Sequence, residues 1–205
     1  IPGLDEITVG QNELVFGALA RMSAVSATPG LQDDYPVLVE SLQKAASQQL
    51  RNMATVGGNL LQRTRCPYFR NGPEYACNKR VPGSGCAAIG GLDRSHALFG
   101  GSGACIAVYP GDWAVALTAM DAVVDVQGPG GLRTIPVSNF FRPPGETPQI
   151  ETSLAPQELI LRIRVPAISY AHGSTYHKIR DRESNAFALV SAAVILRMDG
   201  DRVGA

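Results

Sequence analysis

Cys66, Cys77, Cys86 and Cys105 are the only cysteines of the chain, and 10, 8 and 18 residues separate them in turn. They lie in a stretch rich in Arg, Pro, Gly and aromatic residues, directly behind the glycine turn Thr55-Val56-Gly57-Gly58-Asn59. Thiols gathered in an irregular, basic segment could hold a metal centre. A glycine turn lets a backbone come close to a flat, phosphate-bearing ligand. Together these features point to redox chemistry.

Spacing alone leaves several fates for the thiols. Two disulfides suit a small secreted scaffold, whereas 205 residues at 45% apolar composition can build a core without staples. Structural zinc usually shows tight C-x2-C pairs, and none is present. An iron–sulfur cluster accepts wider spacing if the loops fold back. Unrelated reduced thiols are the plain alternative. The glycine turn is neither a dinucleotide fingerprint nor a P-loop, and by itself it reads as an ordinary turn. Asp112 reads first as a helix cap, and Lys178 as a solvated strand residue. His96, His172 and His177 have no acid or nucleophile close in sequence and receive no catalytic role. No serine sits in a G-x-S-x-G elbow.

The elements that must position these residues are legible in part. Glu13–Ala18 reads as a strand. Tyr35–Leu50 reads as one helix, with Pro36 in its first turn and Val37, Leu38, Leu42 and Ala45 or Ala46 on one face. Residues 62–104 lack any period and need something to organise them. Trp113–Met120 reads as a helix with Asp112 at its N-cap. Ala122–Gln127 and Leu132–Val137 flank a Gly-Pro-Gly-Gly turn as a hairpin, and Asn139–Thr152 is a proline-rich loop. Leu159–Val165, Ser174–Ile179 and Phe187–Leu196 read as strands, with Asp199-Gly200 turning the chain back. Strands joined by short turns predict an α+β fold, a mainly antiparallel sheet with flanking helices.

Charge is balanced at 18 basic and 18 acidic residues, which gives no reason to expect nucleic acid or an anionic membrane as partner. No apolar run approaches the roughly 20 residues of a membrane span, and no signal peptide is visible. A chain that starts at Ile1 and stops at Val203-Gly204-Ala205 reads as a fragment.

The order of four short motifs resembles a known family. They are Arg51–Leu60 (RNMATVGGNL), Pro110–Leu117 (PGDWAVAL), Glu158–Pro166 (ELILRIRVP) and Tyr176–Arg180 (YHKIR). Their sequence is similar to the FAD-binding subunits of molybdenum hydroxylases, which include xanthine dehydrogenases, carbon monoxide dehydrogenases and aldehyde oxidoreductases. Leu61–Phe69, Cys77–Arg80 and Pro82–Ala87 resemble a narrower group, bacterial periplasmic aldehyde oxidoreductases whose flavin subunit carries an extra [4Fe-4S] cluster.

The resemblance implies an FAD-binding fold of the vanillyl-alcohol oxidase type. Residues 1–205 would be its second FAD subdomain with a Cys-rich insertion at about 62–104, while the N-terminal pyrophosphate loop and the C-terminal domain would lie outside the fragment. It implies that Thr55, Gly57, Gly58, Asn59, Asp112, Ile160 and Lys178 contact FAD, and that Cys66, Cys77, Cys86 and Cys105 ligate the cluster. Electrons would pass from molybdopterin and [2Fe-2S] centres on partner subunits to this flavin, and on to an external acceptor. The segment from Gln62 to Gly103 would pack against one of those subunits in a heterotrimer. The implied compartment is the periplasm, with the cytoplasm as the alternative. A competing reading of another class is a non-enzymatic assembly module with a structural metal site.

Overall fold

A computed structural model describes residues 2–204 of the chain. In chain order the elements are β1 (Ile7–Val9), β2 (Glu13–Gly17), α1 (Met22–Ser26), α2 (Leu31–Asp34), α3 (Pro36–Gln43), α4 (Gln48–Met53), α5 (Val56–Leu60) and α6 (Pro67–Arg70). They continue with α7 (Trp113–Ala119), β3 (Val123–Gly128), β4 (Gly131–Pro136), β5 (Leu159–Pro166), β6 (Ser174–Ile179), β7 (Val190–Ile195), β8 (Met198–Asp199) and β9 (Arg202–Val203). The chain divides into two compact units, residues 1–61, 111–138 and 155–205 in one and residues 62–110 and 139–154 in the other.

The first unit is built on a five-stranded antiparallel sheet in the order β1-β2-β5-β3-β4. Alternation along its strands turns Leu14 and Phe16 of β2, Ile163 and Val165 of β5, and Val124 and Val126 of β3 into the core. The expected hairpin is β3–β4, closed at Gly128 and Gly131. A bulge beside Asp125 and Val126 shifts the register so that Val126 faces Ile160. Ile160 is thereby buried and Leu159 exposed. β6 and β7 pair separately as an antiparallel ribbon, and the short β8–β9 pair turns at Asp199-Gly200 as expected.

The single helix expected over Tyr35–Leu50 is two helices. α3 ends at Gln43, Ala46 takes a left-handed backbone at φ 49°, and Ser47 starts α4 by accepting the Leu50 N–H at 3.3 Å. A serine after an apolar helical run offers the next helix a cap, and that local bond wins over continued periodicity. The apolar face itself is as read, with Val37, Leu38, Leu42 and Ala45 all buried. α3 packs against α1, α7 and β6. Its Glu40 carboxylate accepts the Tyr176 N–H at 2.9 Å and the Thr175 hydroxyl at 3.1 Å, which fixes β6 on the helix.

The second unit has little regular structure beyond α6, and side-chain bonds to the backbone hold it together. The Arg80 guanidinium donates to the carbonyls of Phe69, Tyr68 and Tyr75 at 3.0, 3.0 and 2.9 Å. Asn78 donates to Ala104 O at 3.0 Å and accepts from Gly85 N at 2.8 Å. The proline-rich loop belongs to this unit: Lys79 Nζ reaches Pro148 O at 2.6 Å and the Glu151 carboxylate at 3.0 Å. Charged and amide donors that satisfy carbonyls in this way carry no periodicity, so the organisation cannot be read from a hydrophobic pattern. Among the described residues no helix is long and apolar enough to cross a membrane.

Candidate cofactor sites

The motif read as a glycine turn is the first turn of α5. Thr55 has extended dihedrals and its hydroxyl accepts the Gly58 N–H at 3.2 Å, an N-cap by a residue suited to it. The two glycines differ in task. Gly57 is buried, and a Cβ there would stand 2.8 Å from Ala18 O and 2.9 Å from Ala18 Cβ, so its lack of a side chain lets the helix lie against the end of β2. Gly58 is exposed, and a Cβ there would meet Thr55 Oγ1 at 3.0 Å. Asn59 follows, half-buried, its amide donating to Met22 Sδ at 3.6 Å. α5 packs on β2, on β5 with its buried Ile160, and on α7.

Asp112 sits at the N-cap position of α7 but makes no side-chain cap bond, which corrects the capping expectation. Its carboxylate turns into the unit and accepts the Tyr176 hydroxyl at 2.7 Å and the Lys178 ammonium at 2.8 Å. Lys178 is no solvated strand residue either: its side chain is 1% exposed against 5% for Asp112. Lys178 Nζ also donates to Lys44 O at 2.9 Å. A buried ammonium is held only where such partners surround it. Burial raises the Tyr176 phenol far above its ordinary range, and although the bond with Ser191 lowers it, the Asp112 charge adds to the rise. Tyr176 is therefore the donor in its bond with Asp112. Tyr176 and Lys44 escaped the sequence reading because contacts across 64 residues to Asp112 and 134 residues to Lys178, respectively, leave no local signal.

In the second unit all four cysteines line one cavity, together with Tyr68, Lys79 and several alanines. None forms a disulfide. Cys77 and Cys86 face each other across an isolated antiparallel bridge, held by Asn78 N to Gly85 O at 2.7 Å and Ala87 N to Ala76 O at 2.9 Å. Cys66 starts α6, and Cys105 closes a tight turn with Ser102, their backbones bonding at 2.9 and 3.2 Å. Burial pushes the Cys66 thiol up; the amides of Phe69 and Tyr68 pull it back, and Cys77 and Cys86 push it further. Burial likewise raises Cys105, opposed by the Ala107 amide and the Lys79 charge and reinforced by Cys86 and Cys77. Cys77 and Cys86 therefore lie close enough to both thiols to act on them electrostatically. Among the described residues no three or more His, Cys, Asp or Glu side chains are gathered so as to hold a single metal ion. His96, given no role from sequence, places Nε2 3.1 Å from Cys66 Sγ.

The first unit is thus an antiparallel α+β fold with a capped glycine helix, and the second lines a cavity with four thiols. The chain belongs to the family of FAD binding domains in molybdopterin dehydrogenases, whose sequence pattern matches residues 1–168. It is 51% identical, over 97% of its length and 62% of the relative's, to the aldehyde oxidoreductase FAD-binding subunit PaoB of Escherichia coli (strain K12). It is 26% identical to the carbon monoxide dehydrogenase medium chain of Hydrogenophaga pseudoflava, over 99% of this chain and 53% of that one. A solved structure of carbon monoxide dehydrogenase from Hydrogenophaga pseudoflava superposes with a TM-score of 0.66 at 24% identity, covering 100% of this chain and 54% of that one, which shows the fold. The chain therefore spans about half to three-fifths of the length of these relatives.

Proposed function

We propose that this chain is the flavin- and cluster-holding portion of an electron-transfer subunit in a molybdenum-dependent aldehyde oxidoreductase. The carrying observation is that four thiols spread over some forty residues of sequence line one cavity. Cys66, Cys77, Cys86 and Cys105 would hold a [4Fe-4S] cluster, which supplies one-electron chemistry when bound. The donor set fits it: thiolate sulfur is the ligand that iron–sulfur clusters take, and Cys77 and Cys86 lie near enough to Cys66 and Cys105 to raise both thiols, a repulsion that positive charge between them would offset. Lys79 adds positive charge on the Cys105 side.

FAD supplies chemistry that accepts electrons singly from iron–sulfur centres and releases them singly or in pairs. Thr55, Gly58 and Asn59 would face its phosphates and ribityl, Gly57 serving from behind by letting α5 lie against the end of β2, with Ile160 beneath. Asp112 and Lys178 would shape the flavin side from within, each holding the other in place. The fold would be of the vanillyl-alcohol oxidase type, with the Cys-rich segment as an insertion. The molybdopterin and [2Fe-2S] groups would reside on partner subunits, against which part of Gln62–Gly103 would pack. The relatives' printed names support this: the Escherichia coli protein is an FAD-binding subunit of an aldehyde oxidoreductase.

The test is iron, sulfide and flavin analysis of the full-length protein prepared anaerobically, with low-temperature EPR after reduction. About four irons and four sulfides per flavin chain are expected, lost or cut to a three-iron remnant when any one cysteine is replaced by serine. Fewer than about two irons per flavin chain, or zinc in their place, refutes the cluster. Gly58→Val should release flavin while leaving the fold standing; full flavin occupancy in that variant refutes the α5 assignment.

A further inference from the structure

His96 is the one histidine drawn into the thiol cavity's surroundings, and its ring makes an unequal pair of contacts. Nε2 lies 3.1 Å from Cys66 Sγ, while Nδ1 is buried with no hydrogen-bond partner. In the Nδ1 tautomer the proton would be a buried donor with nothing to receive it, a costly arrangement. The tautomer with its proton on Nε2 avoids it and points an N–H at the sulfur. A metal-bound thiolate carries no proton and can only accept, so the two requirements select the same tautomer.

The backbone that carries the ring is tied at two points. His96 N donates to Asp93 O at 2.8 Å, and the next residue, Ala97, donates to Ile106 O at 2.8 Å, directly after Cys105. The segment carrying the imidazole is thus tied to the backbone of the fourth thiol while its side chain reaches the first. Tyr68, which lines the same cavity, lies with its ring centroid 6.4 Å from the imidazole.

We propose that His96 is a positioning residue for the thiol-held centre, donating its Nε2–H to Cys66 Sγ and thereby raising the reduction potential of the cluster. The inference rests on the cluster reading above. Reduction adds one electron and so one negative charge, and an N–H dipole aimed at a ligand sulfur stabilises the more negative state.

The experiment compares wild type, His96→Leu and His96→Gln as full-length protein in its native complex, by EPR-monitored redox titration alongside iron and sulfide analysis. Equal iron and sulfide in all three is expected, with the Leu midpoint more negative than wild type and the Gln midpoint between them, since an amide keeps an N–H donor. A Leu midpoint equal to wild type, or equal shifts in Leu and Gln, overturns the tuning role. Loss of iron in both variants with the first unit still folded also overturns it, because His96 would then be a ligand or a scaffold. Wild-type protein without iron and sulfide overturns the cluster reading itself, a result distinct from a wild-type cluster that ignores the substitution.

Discussion

Removing either partner of the Lys178–Asp112 pair should be among the most destabilising single changes in the first unit. In Lys178→Met the Asp112 carboxylate, 5% exposed, keeps only the Tyr176 hydroxyl at 2.7 Å. In Asp112→Asn the ammonium keeps the Lys44 carbonyl at 2.9 Å and an amide oxygen in place of a charge. A buried ion left without its partner costs about 3–5 kcal/mol, against a total stability of roughly 5–15 kcal/mol for a domain. The assay is built in: Trp113 is the chain's single tryptophan, fully buried, beside Asp112 and edge-on to Phe16 at 5.7 Å. Urea unfolding followed by its fluorescence reports this unit. With a slope of about 2 kcal/mol per molar urea, each single variant should lower the midpoint by about 1.5–2.5 M. The double variant Asp112→Asn/Lys178→Met should lose clearly less than the sum, since no bare charge remains. All three should be measured with and without added FAD, because a ligand bound only by the folded state raises the midpoint by mass action. Midpoint changes below about 0.5 M for both single variants, or strict additivity in the double, would refute the buried-pair argument.

Two further outcomes follow from other sites. Asp125 is buried; burial alone would raise its carboxyl, but bonds from Arg164, Arg162 and Thr134 outweigh that and hold it below the ordinary range. Because the folded value is the lower one, its contribution is fully present above the unfolded value near pH 4 and fades as pH falls through the folded value. Unfolding free energy measured from pH 6 to pH 2 should drop less steeply in Asp125→Asn, and parallel curves would contradict this. Gly57→Ala should cost about 1–3 kcal/mol by forcing a Cβ against Ala18. Gly58→Ala asks only the Thr55 hydroxyl to shift and should stay within about 1 kcal/mol of wild type. Equal urea midpoints for the two alanine variants would remove the distinction drawn between the glycines.

Local signals in the sequence were enough for β2, the β3–β4 hairpin, β5, β6, α7 and the apolar face of α3, because each is specified by its own period of 2 or 3.6 and by turn residues at its ends. The α+β, mainly antiparallel class followed from those. The presence of four cysteines behind a glycine motif was likewise plain from residue types and order. The break at Ala46 and the helical state of Gly57-Gly58 were not, since a single cap bond from Ser47 or Thr55 decides them and the same letters also fit a turn. Only tertiary structure brought Asp112 to Lys178 and Tyr176, joined Lys79 to a loop some seventy residues on, gathered the four thiols at one cavity and set His96 against Cys66. Those are polar contacts between distant residues. Their energy depends on burial and direction, which composition and spacing along one chain do not encode.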